Sequence, residues 1–464
     1  MTGYYNRLKY LSQRWQLRIV LLIFISFGCI DKLVLPEDLN TAETFSAGDT
    51  TYLQVNPVWD ESYGLVTPID LSIAADGRVF IADSALNSIL VFAQSGNNVP
   101  GFEALQSLQD TSGRSLIPID VDVDQKLNVM FTNGSHRIYR WNQYWNEVGI
   151  DSSAVSALFT QDDSGDTITV RYGSLLWLQL INDRTWTPSN FEWVQDAALI
   201  DSLLAPHLFY DGSFLINKIL DRYYDSQLTS FSSLTTVGDT RNHLFTTDQY
   251  NNRIVEIAYA YNTYIQLKDG HRVWAHQGLF YRTVEGPGTG AGTVNDPLGI
   301  DVDYEDNIYY TQQGEVFGVH KIKPDPFEGF SKYVSAFQLY HDDIMDIDRF
   351  IQPQDIAVDN NQMIYVSNTG AGEIQVFKAD GSYFKKAGVE EFRIDFEDWV
   401  PGDTTLFIID STDTYYIAER KGMLIKPAGI TVDDRGVIYV CDPDQSSIFR
   451  FRLSNVLDED IQPE

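Results

Sequence analysis

Three aspartates, Asp120, Asp122 and Asp124, are separated by single valines in one short segment of the chain. Because successive side chains of a β-strand point to opposite faces, a strand here would place all three carboxylates on one side. Asp301 and Asp303 repeat this spacing further along the chain. Oxygen-only ligands suit Ca²⁺ better than Zn²⁺. The pattern allows a calcium site; the alternative is that these aspartates cap turns and hold neighbouring strands together by hydrogen bonds.

The overall charge restricts the partners of the chain. It has 33 Lys and Arg against 65 Asp and Glu, which gives a formal net charge of −32. Such an acidic protein is poorly suited to binding nucleic acid or an anionic membrane surface. A hydrophobic content of 44%, with 26 Tyr, 26 Phe, 32 Gly and 16 Pro, is enough for a core and is typical of a turn-rich β protein. We therefore expect an all-β fold and no nucleic-acid partner.

The first 28 residues have the features of a secretory signal peptide. Four basic residues and no acidic residue accompany an apolar run at residues 19–27, which is shorter than the roughly 20 residues that span a bilayer. Residues 26–29, Ser-Phe-Gly-Cys, resemble the lipobox of bacterial lipoproteins. The resemblance implies that Cys29 is lipidated, and Ile30 after it implies the outer membrane. We expect a protein of the bacterial cell envelope that contacts the membrane through its lipid only.

Residues 29–50 are predicted to hold the lipidated cysteine and a flexible tether, because residues 30–50 show no sustained apolar period. Cys441 is the other cysteine of the chain. If Cys29 carries lipid, an intrachain disulfide is impossible. Cys441 lies in an apolar strand pattern and is expected to be a small buried side chain.

An internal repeat organises the rest of the chain. Six segments of sixteen residues align without gaps, and they begin at Pro68, Pro118, Ser233, Pro297, Pro353 and Pro427. Each predicts a hairpin, with an alternating strand, a polar turn and a second strand rich in Val, Ile, Tyr and Phe. The turn opens with Asp in five units, and Asp there accepts backbone hydrogen bonds. The second strand ends in a polar residue in all six: Asp83, Asn133, Asp248, Gln312, Asn368 and Asp442.

This pattern resembles the NHL-repeat family of β-propellers, and residues 427–451 (PAGITVDDRGVIYVCDPDQSSIFRF) match it best. The resemblance implies a single all-β propeller over residues 51–464. A blade of three or four strands cannot bury both faces alone, whereas a closed ring of blades can. We expect the strand at residues 51–59 to close the ring by completing the blade that begins at Pro427.

The number of blades depends on the longest gap between units, from Pro118 to Ser233. We expect an irregular insertion at about residues 143–232 on a six-bladed ring, and a degenerate seventh blade is the alternative. The first strands of a propeller would line its channel. This places the candidate binding residues Asp70, Asp120, Asp122 and Asp355 together at the channel mouth. Whether they hold a metal stays open; Ca²⁺ is the ion that would suit them, and no other cofactor is expected.

Two functions are consistent with these residues. The favoured one is a non-enzymatic binding or scaffold module for an envelope protein, peptide or glycan. If exposed, Trp141, Trp145, Trp186 and Trp193 would offer it stacking surfaces, whereas most tryptophans of a propeller belong to the core or to the packing between blades. The alternative is a metal-dependent envelope enzyme of the propeller lyase or lactonase type. The chain lacks a Gly-x-Ser-x-Gly motif and a histidine pattern matching the metal-binding lyases, which makes an enzyme the less favoured interpretation.

Overall fold

The computed structural model describes residues 51–99, 104–109, 114–142, 156–161, 167–170, 192–195, 207–213, 224, 226–237, 242–266, 272–314, 316–337, 343–395, 406–411, 415–420 and 422–454. The predicted signal peptide, the tether and Cys29 lie outside these residues. Helical structure in the described residues consists of single 3₁₀ turns at Glu61–Tyr63, Ser226–Leu228, Asp343–Met345, Thr369–Ala371 and Pro443–Gln445. None of the helices described is long and apolar enough to cross a membrane.

Six antiparallel sheets, numbered here as blades 1 to 6, follow the six sequence units. Blade 1 contains β2 (Pro68–Ile73), β3 (Val79–Asp83) and β4 (Ser88–Phe92), and blade 2 contains β5 (Asp120–Val123), β6 (Asn128–Thr132), β7 (Arg137–Asn142) and β11 (His207–Asp211). Blade 3 contains β12 (Phe231–Thr236), β13 (His243–Asp248), β14 (Arg253–Gln266) and β15 (Arg272–Glu285). Blade 4 contains β16 (Pro297–Val302), β17 (Ile308–Gln312), β18 (Val319–Asp325) and β19 (Gly329–Ser335).

Blade 5 contains β20 (Pro353–Val358), β21 (Ile364–Asn368), β22 (Glu373–Phe377) and β23 (Tyr383–Ala387). Blade 6 contains β27 (Ile430–Val432), β28 (Ile438–Asp442), β29 (Ser447–Leu453) and β1 (Tyr52–Gln54). The first strands contact one another in the closed order β2, β5, β12, β16, β20, β27 and back to β2. The protein is a six-bladed β-propeller, which confirms the all-β prediction and the choice of six blades over seven.

The core is divided into six apolar clusters, one between each pair of adjacent blades. The second strands of blades 1, 2, 4, 5 and 6 are buried along their whole length because both of their faces meet a neighbouring blade. Cys441 belongs to the cluster between blades 6 and 1 and is fully buried, as predicted. Folding of the ring therefore depends on contacts between blades more than on any single sheet.

The N-terminal strand closes the ring as predicted. Tyr52 lies opposite Leu453 and Gln54 opposite Phe451, so β1 forms the outer strand of blade 6. Trp59 continues this pairing as an isolated bridge with Ile448. The two ends of the propeller are thus joined within one sheet.

The polar residues of each unit fix its backbone. Asp433 Oδ1 accepts hydrogen bonds from the backbone N–H groups of Arg435 (3.0 Å) and Val437 (2.9 Å), which confirms the predicted role of the turn aspartate. The polar residue at the end of the second strand binds the segment that leads into the first strand. Asp83 Oδ2 accepts from the N–H of Val66 at 2.8 Å.

The two faces of the ring differ in their connections. One face, called here the loop face, is formed by the segments that lead into the first strands. It also contains the connections between second and third strands. The turns between first and second strands lie on the opposite face, called here the turn face. Because β1 begins at Tyr52, opposite the end of β29, the propeller starts at the turn face.

Two additional three-stranded sheets interrupt the repeat. One joins β10 (Glu192–Gln195), β8 (Ser156–Gln161) and β9 (Thr167–Val170), and it falls between β7 and β11 of blade 2. The other joins β24 (Glu390–Asp395), β26 (Tyr415–Arg420) and β25 (Leu406–Ser411), between blades 5 and 6. Both sheets lie outside the closed ring of first strands.

Candidate functional site

The four aspartates proposed from the sequence line one small cavity at the centre of the ring. Asp70, Asp120, Asp122 and Asp355 surround a volume of about 60 Å³. Asp301, from blade 4, also lines it. Five carboxylates from four blades are therefore brought together by the first strands.

Three of these carboxylates link neighbouring blades near the loop face. Asp70 Oδ2 accepts a hydrogen bond from the N–H of Val121 at 2.6 Å. Equivalent bonds run from the N–H of Leu234 to Asp120 (2.9 Å) and from the N–H of Ile430 to Asp355 (2.9 Å). Each aspartate thus receives the backbone donor of the next first strand, which that strand's own sheet leaves unpaired.

The remaining two carboxylates form the same link between blades, two residues further along their first strands and therefore closer to the turn face. Asp122 Oδ2 accepts from the N–H of Thr236 at 2.6 Å, and its Oδ1 accepts from the Ser72 hydroxyl at 2.7 Å. Asp301 Oδ2 accepts from the N–H of Val358 at 2.7 Å. The inter-blade hydrogen bonds considered as the alternative to metal binding are therefore present at all five aspartates.

Two glycines make room for this arrangement. Gly299 and Gly429 occupy the third position of their units, where Asp70, Asp120 and Asp355 stand in others. A Cβ at Gly429 would lie 2.2 Å from Asp70 Oδ1, and one at Gly299 would lie 2.3 Å from Asp355 Oδ1. The aspartate of one blade can approach the preceding blade only because that blade has no side chain there.

Enclosure changes the acidity of the cluster. Burial raises the pKa of Asp301 to about 8 and that of Asp355 to about 7. Burial also raises the pKa of Asp70 well above its usual range, and the charges of Asp120 and Asp355 add to the effect. The pKa of Asp120 is raised for the same main reason. The centre of the ring is therefore a place where carboxyl groups hold protons near neutral pH.

Of the two roles that the sequence allowed for Asp124, the structure shows the turn aspartate. Asp124 follows β5, where its Oδ1 accepts from the N–H of Asn128 at 2.9 Å, and it does not continue the channel row of Asp120 and Asp122. A strand that ends at Val123 explains the difference. Asp301 was not among the proposed site residues, although its fifth position in the unit matches that of Asp122 and was the available signal.

In the part of the chain that the structure describes, no group of three or more His, Cys, Asp or Glu side chains is arranged to hold a metal ion. The carboxylates at the axis point toward backbone donors of neighbouring strands. Their arrangement is that of hydrogen-bond acceptors between blades.

A larger cavity, of about 900 Å³, lies at the outer edge of blade 1 and is called here the rim cavity. Its lining includes Tyr63, Leu86, Leu90, Phe92, Leu105 and Trp141, and none of its described lining residues carries a charge. Trp141 is almost fully buried in the cluster between blades 1 and 2, so it has the packing role expected of most propeller tryptophans and not that of an exposed stacking surface. The side chains of the other three tryptophans lie outside the described residues.

Comparison with known proteins gives distant likenesses only. No family model and no curated protein matches the chain. A streptogramin B lyase structure is 14% identical, with a TM-score of 0.42 over 87% of this chain and 98% of its own. A gluconolactonase from Xanthomonas campestris is 10% identical, with a TM-score of 0.42, covering 88% and 90%. A protein of unknown function from Bacteroides thetaiotaomicron is 12% identical, with a TM-score of 0.42, covering 87% and 76%. Likenesses at this level assign no activity to this chain.

Proposed function

We propose that this propeller is a non-enzymatic binding or scaffold module for an envelope protein, peptide or glycan. The observation that carries the proposal is the use of the axial carboxylates. Each of Asp70, Asp120 and Asp355 gives an oxygen to a backbone donor of the next blade. These groups join blades, which supports a structural role for them.

The sizes of the two cavities support the same proposal. The axial cavity of about 60 Å³ has room for water but not for an organic substrate, since ligand pockets measure roughly 300–1,000 Å³. The rim cavity of about 900 Å³ falls in that range, and its described lining is uncharged. Such a lining, in which the amides of Asn98 and Gln106 accompany apolar side chains, suits recognition of a neutral group.

Metal analysis of the full-length chain separates this proposal from the metal-dependent lyase or lactonase alternative. We expect much less than one divalent ion per chain, and we expect Ca²⁺ and chelators to leave the Tm unchanged. Asp120→Asn keeps an acceptor for the N–H of Leu234 and serves as the matched variant. One tightly held ion per chain, or a rise in Tm with Ca²⁺ that Asp120→Asn abolishes, would favour the enzyme.

We further propose that Cys29 is acylated and anchors the module in the outer membrane of a bacterial envelope. The residues that support this are the basic segment, the apolar run at 19–27 and the lipobox-like residues 26–29. Cys29→Ser should abolish incorporation of labelled palmitate and move the chain from the membrane fraction to the soluble fraction. Cys441→Ser is the control and should stay membrane-bound; equal labelling of wild type and Cys29→Ser would contradict the proposal.

A further inference from the structure

The outer edge of blade 1 differs from that of every other blade. In the described part of the ring, blade 1 is a sheet of three strands, whereas each of the other five blades has a fourth strand at its outer edge. Two isolated bridges stand in its place along β4: Phe92 pairs with Asn98, and Ile89 pairs with Leu105. Two residues of β4 separate Ile89 from Phe92. The edge of β4 therefore has a short gap in its pairing, called here the notch, which is closed at both ends.

The backbone of Val91 faces outward in the notch. Ile89 donates its N–H to the carbonyl of Leu105 and accepts from the N–H of Leu105, both at 2.9 Å, so neither group of Ile89 is bonded to β3. Because bonded and non-bonded pairs alternate along an antiparallel ladder, Val91 also directs its N–H and C=O to the outer edge. Ala93 continues the alternation, since its N–H donates to the carbonyl of Asn97 at 2.8 Å. Among the described residues, neither backbone group of Val91 has a backbone partner.

The rim cavity lies along this part of β4. Its lining includes Leu90, Val91 and Phe92. The side chain of Val91 belongs to the apolar cluster between blades 1 and 2, and those of Leu90 and Phe92 belong to the cluster between blades 6 and 1. Both faces of β4 are thus occupied by core packing. The strand therefore meets the cavity with its backbone edge, which offers one donor and one acceptor side by side at Val91.

Amides and aromatic rings complete the recognition groups of the cavity. Asn98 and Gln106 line it, and both are exposed residues whose neutral side-chain amides donate and accept hydrogen bonds. Tyr63 and Trp141 line it as well and bring aromatic rings to its wall. Few polar groups placed among apolar and aromatic side chains are the usual composition of a small-molecule site. A matching ligand is neutral, carries hydrogen-bonding groups and has an apolar surface.

A saccharide meets these requirements better than a peptide. Adjacent hydroxyls of a sugar ring are close enough for one to accept from the N–H of Val91 while the next donates to its C=O. The C–H groups of the ring supply an apolar surface for the aromatic wall. An extended peptide would instead add to a sheet edge over several residues, and the bridges at Asn98 and Leu105 close the notch after two. A charged ligand would find no counter-charge among the described lining residues.

We propose that the rim cavity binds one ring of a neutral glycan through the backbone edge of Val91 and the amides of Asn98 and Gln106. The inference rests on the proposed binding function, and it selects the glycan from the ligand classes named there and assigns it a site. Tyr63 and Trp141 contact the apolar surface of the sugar. Water leaves this surface and the aromatic wall on binding, while the hydroxyls exchange water for the polar groups of the cavity.

A glycan array probed with the full-length chain tests this proposal. We expect neutral oligosaccharides to bind, and the Kd of the best of them is measured by titration calorimetry. Asn98→Leu and Gln106→Met remove the amides with little change in size and should each raise this Kd at least tenfold. Asn97→Leu, at the neighbouring exposed residue outside the cavity lining, is the matched control and should leave the Kd unchanged. Because all three side chains are exposed, these variants should fold.

Other outcomes would overturn the proposal in distinguishable ways. Glycan binding that Asn98→Leu and Gln106→Met leave unchanged would refute the cavity as the site and keep the binding function. Selection of phage-displayed random peptides on the same protein covers the other ligand class. Peptides weakened by Asn98→Leu, with no neutral oligosaccharide bound on the array, would assign the cavity to a peptide. A protein that binds neither glycans nor peptides would contradict the proposed binding function itself.

Discussion

Lowering the pH from about 8 to about 5 should stabilise the propeller, so that its Tm rises over a range in which many proteins change little. The cause is the carboxylate cluster at the axis. Burial raises the pKa of Asp301 to about 8 and of Asp355 to about 7, against 3.8 for a free aspartate. Burial raises the pKa of Asp70 and of Asp120 in the same direction.

The direction of this pH effect follows from the number of protons that the folded and the unfolded chain bind. Between pH 3.8 and its native pKa, each of these groups keeps a proton in the folded chain that it has released in the unfolded chain. Acid therefore favours the folded state, by up to about 1.4 kcal/mol per pH unit for each such group. The stabilisation is complete near pH 4 and is lost as the pH rises through the native pKa values.

One buried histidine opposes this trend. Burial lowers the pKa of His320 from 6.5 to about 4, so that the unfolded chain takes up its proton first as the pH falls. His320 is one group against four carboxyls, and it acts only below pH 6.5. Carboxylates with lowered pKa values, such as Glu256, cost stability only near and below 4.5, their ordinary value. The carboxyl cluster should therefore dominate between pH 8 and 5.

Chemical unfolding at half-unit pH steps measures the effect. Asp355→Asn removes one titrating group and keeps an oxygen for the N–H of Ile430, so the slope of unfolding free energy against pH should become shallower. Asp60→Asn, at an exposed residue, is the control and should leave the slope unchanged between pH 5 and 8. A wild-type stability that climbs steadily from pH 5 to 8 would contradict the expected protonation of the cluster.

The inner parts of the blades were predictable because their signals are local. A proline opening, an aspartate turn and an apolar second strand lie within sixteen residues, and each is dictated by short-range geometry. The polar residues ending the second strands were visible in the same way. Their task of holding the preceding loop, as Asp83 does for Val66, needed the structure.

Apart from β1, the outer strands were not predictable in the same way. β11 completes blade 2 only after the separate sheet of β8 to β10, and no periodicity links residue 142 to residue 207. An edge strand has one hydrogen-bonded neighbour and a mixed environment, so its sequence pattern is weak. The position of Asp301 in its unit was visible in the sequence, but its partner, the N–H of Val358, lies in another blade and needed the structure. Contacts between blades produce little recognisable sequence pattern within any one repeat.

Loss of the closing segment should have the largest effect on stability. Trp59 is fully buried between blades 6 and 1, in one cluster with Phe92 of blade 1 and Tyr439 of blade 6. Its ring lies 5.7 Å from that of Phe92 and 5.8 Å from that of Tyr439, and the Arg450 guanidinium stands 4.7 Å above it. Trp59→Ala should lower the free energy of unfolding by about 3–5 kcal/mol, because it opens a cavity at the seam of the ring.

Deleting residues 51–59 should cost more than Trp59→Ala, since it also removes the β1 ladder and the buried Tyr52. Blade 6 then has an open edge at β29, and the contact that holds blades 6 and 1 together loses its largest side chain. Leu53→Ala, at a side chain of β1 that is 45% exposed, is the control and should change stability little. Denaturant unfolding of the three variants measures the difference. If the deletion leaves the midpoint near that of wild type, the N-terminal strand does not hold the ring closed.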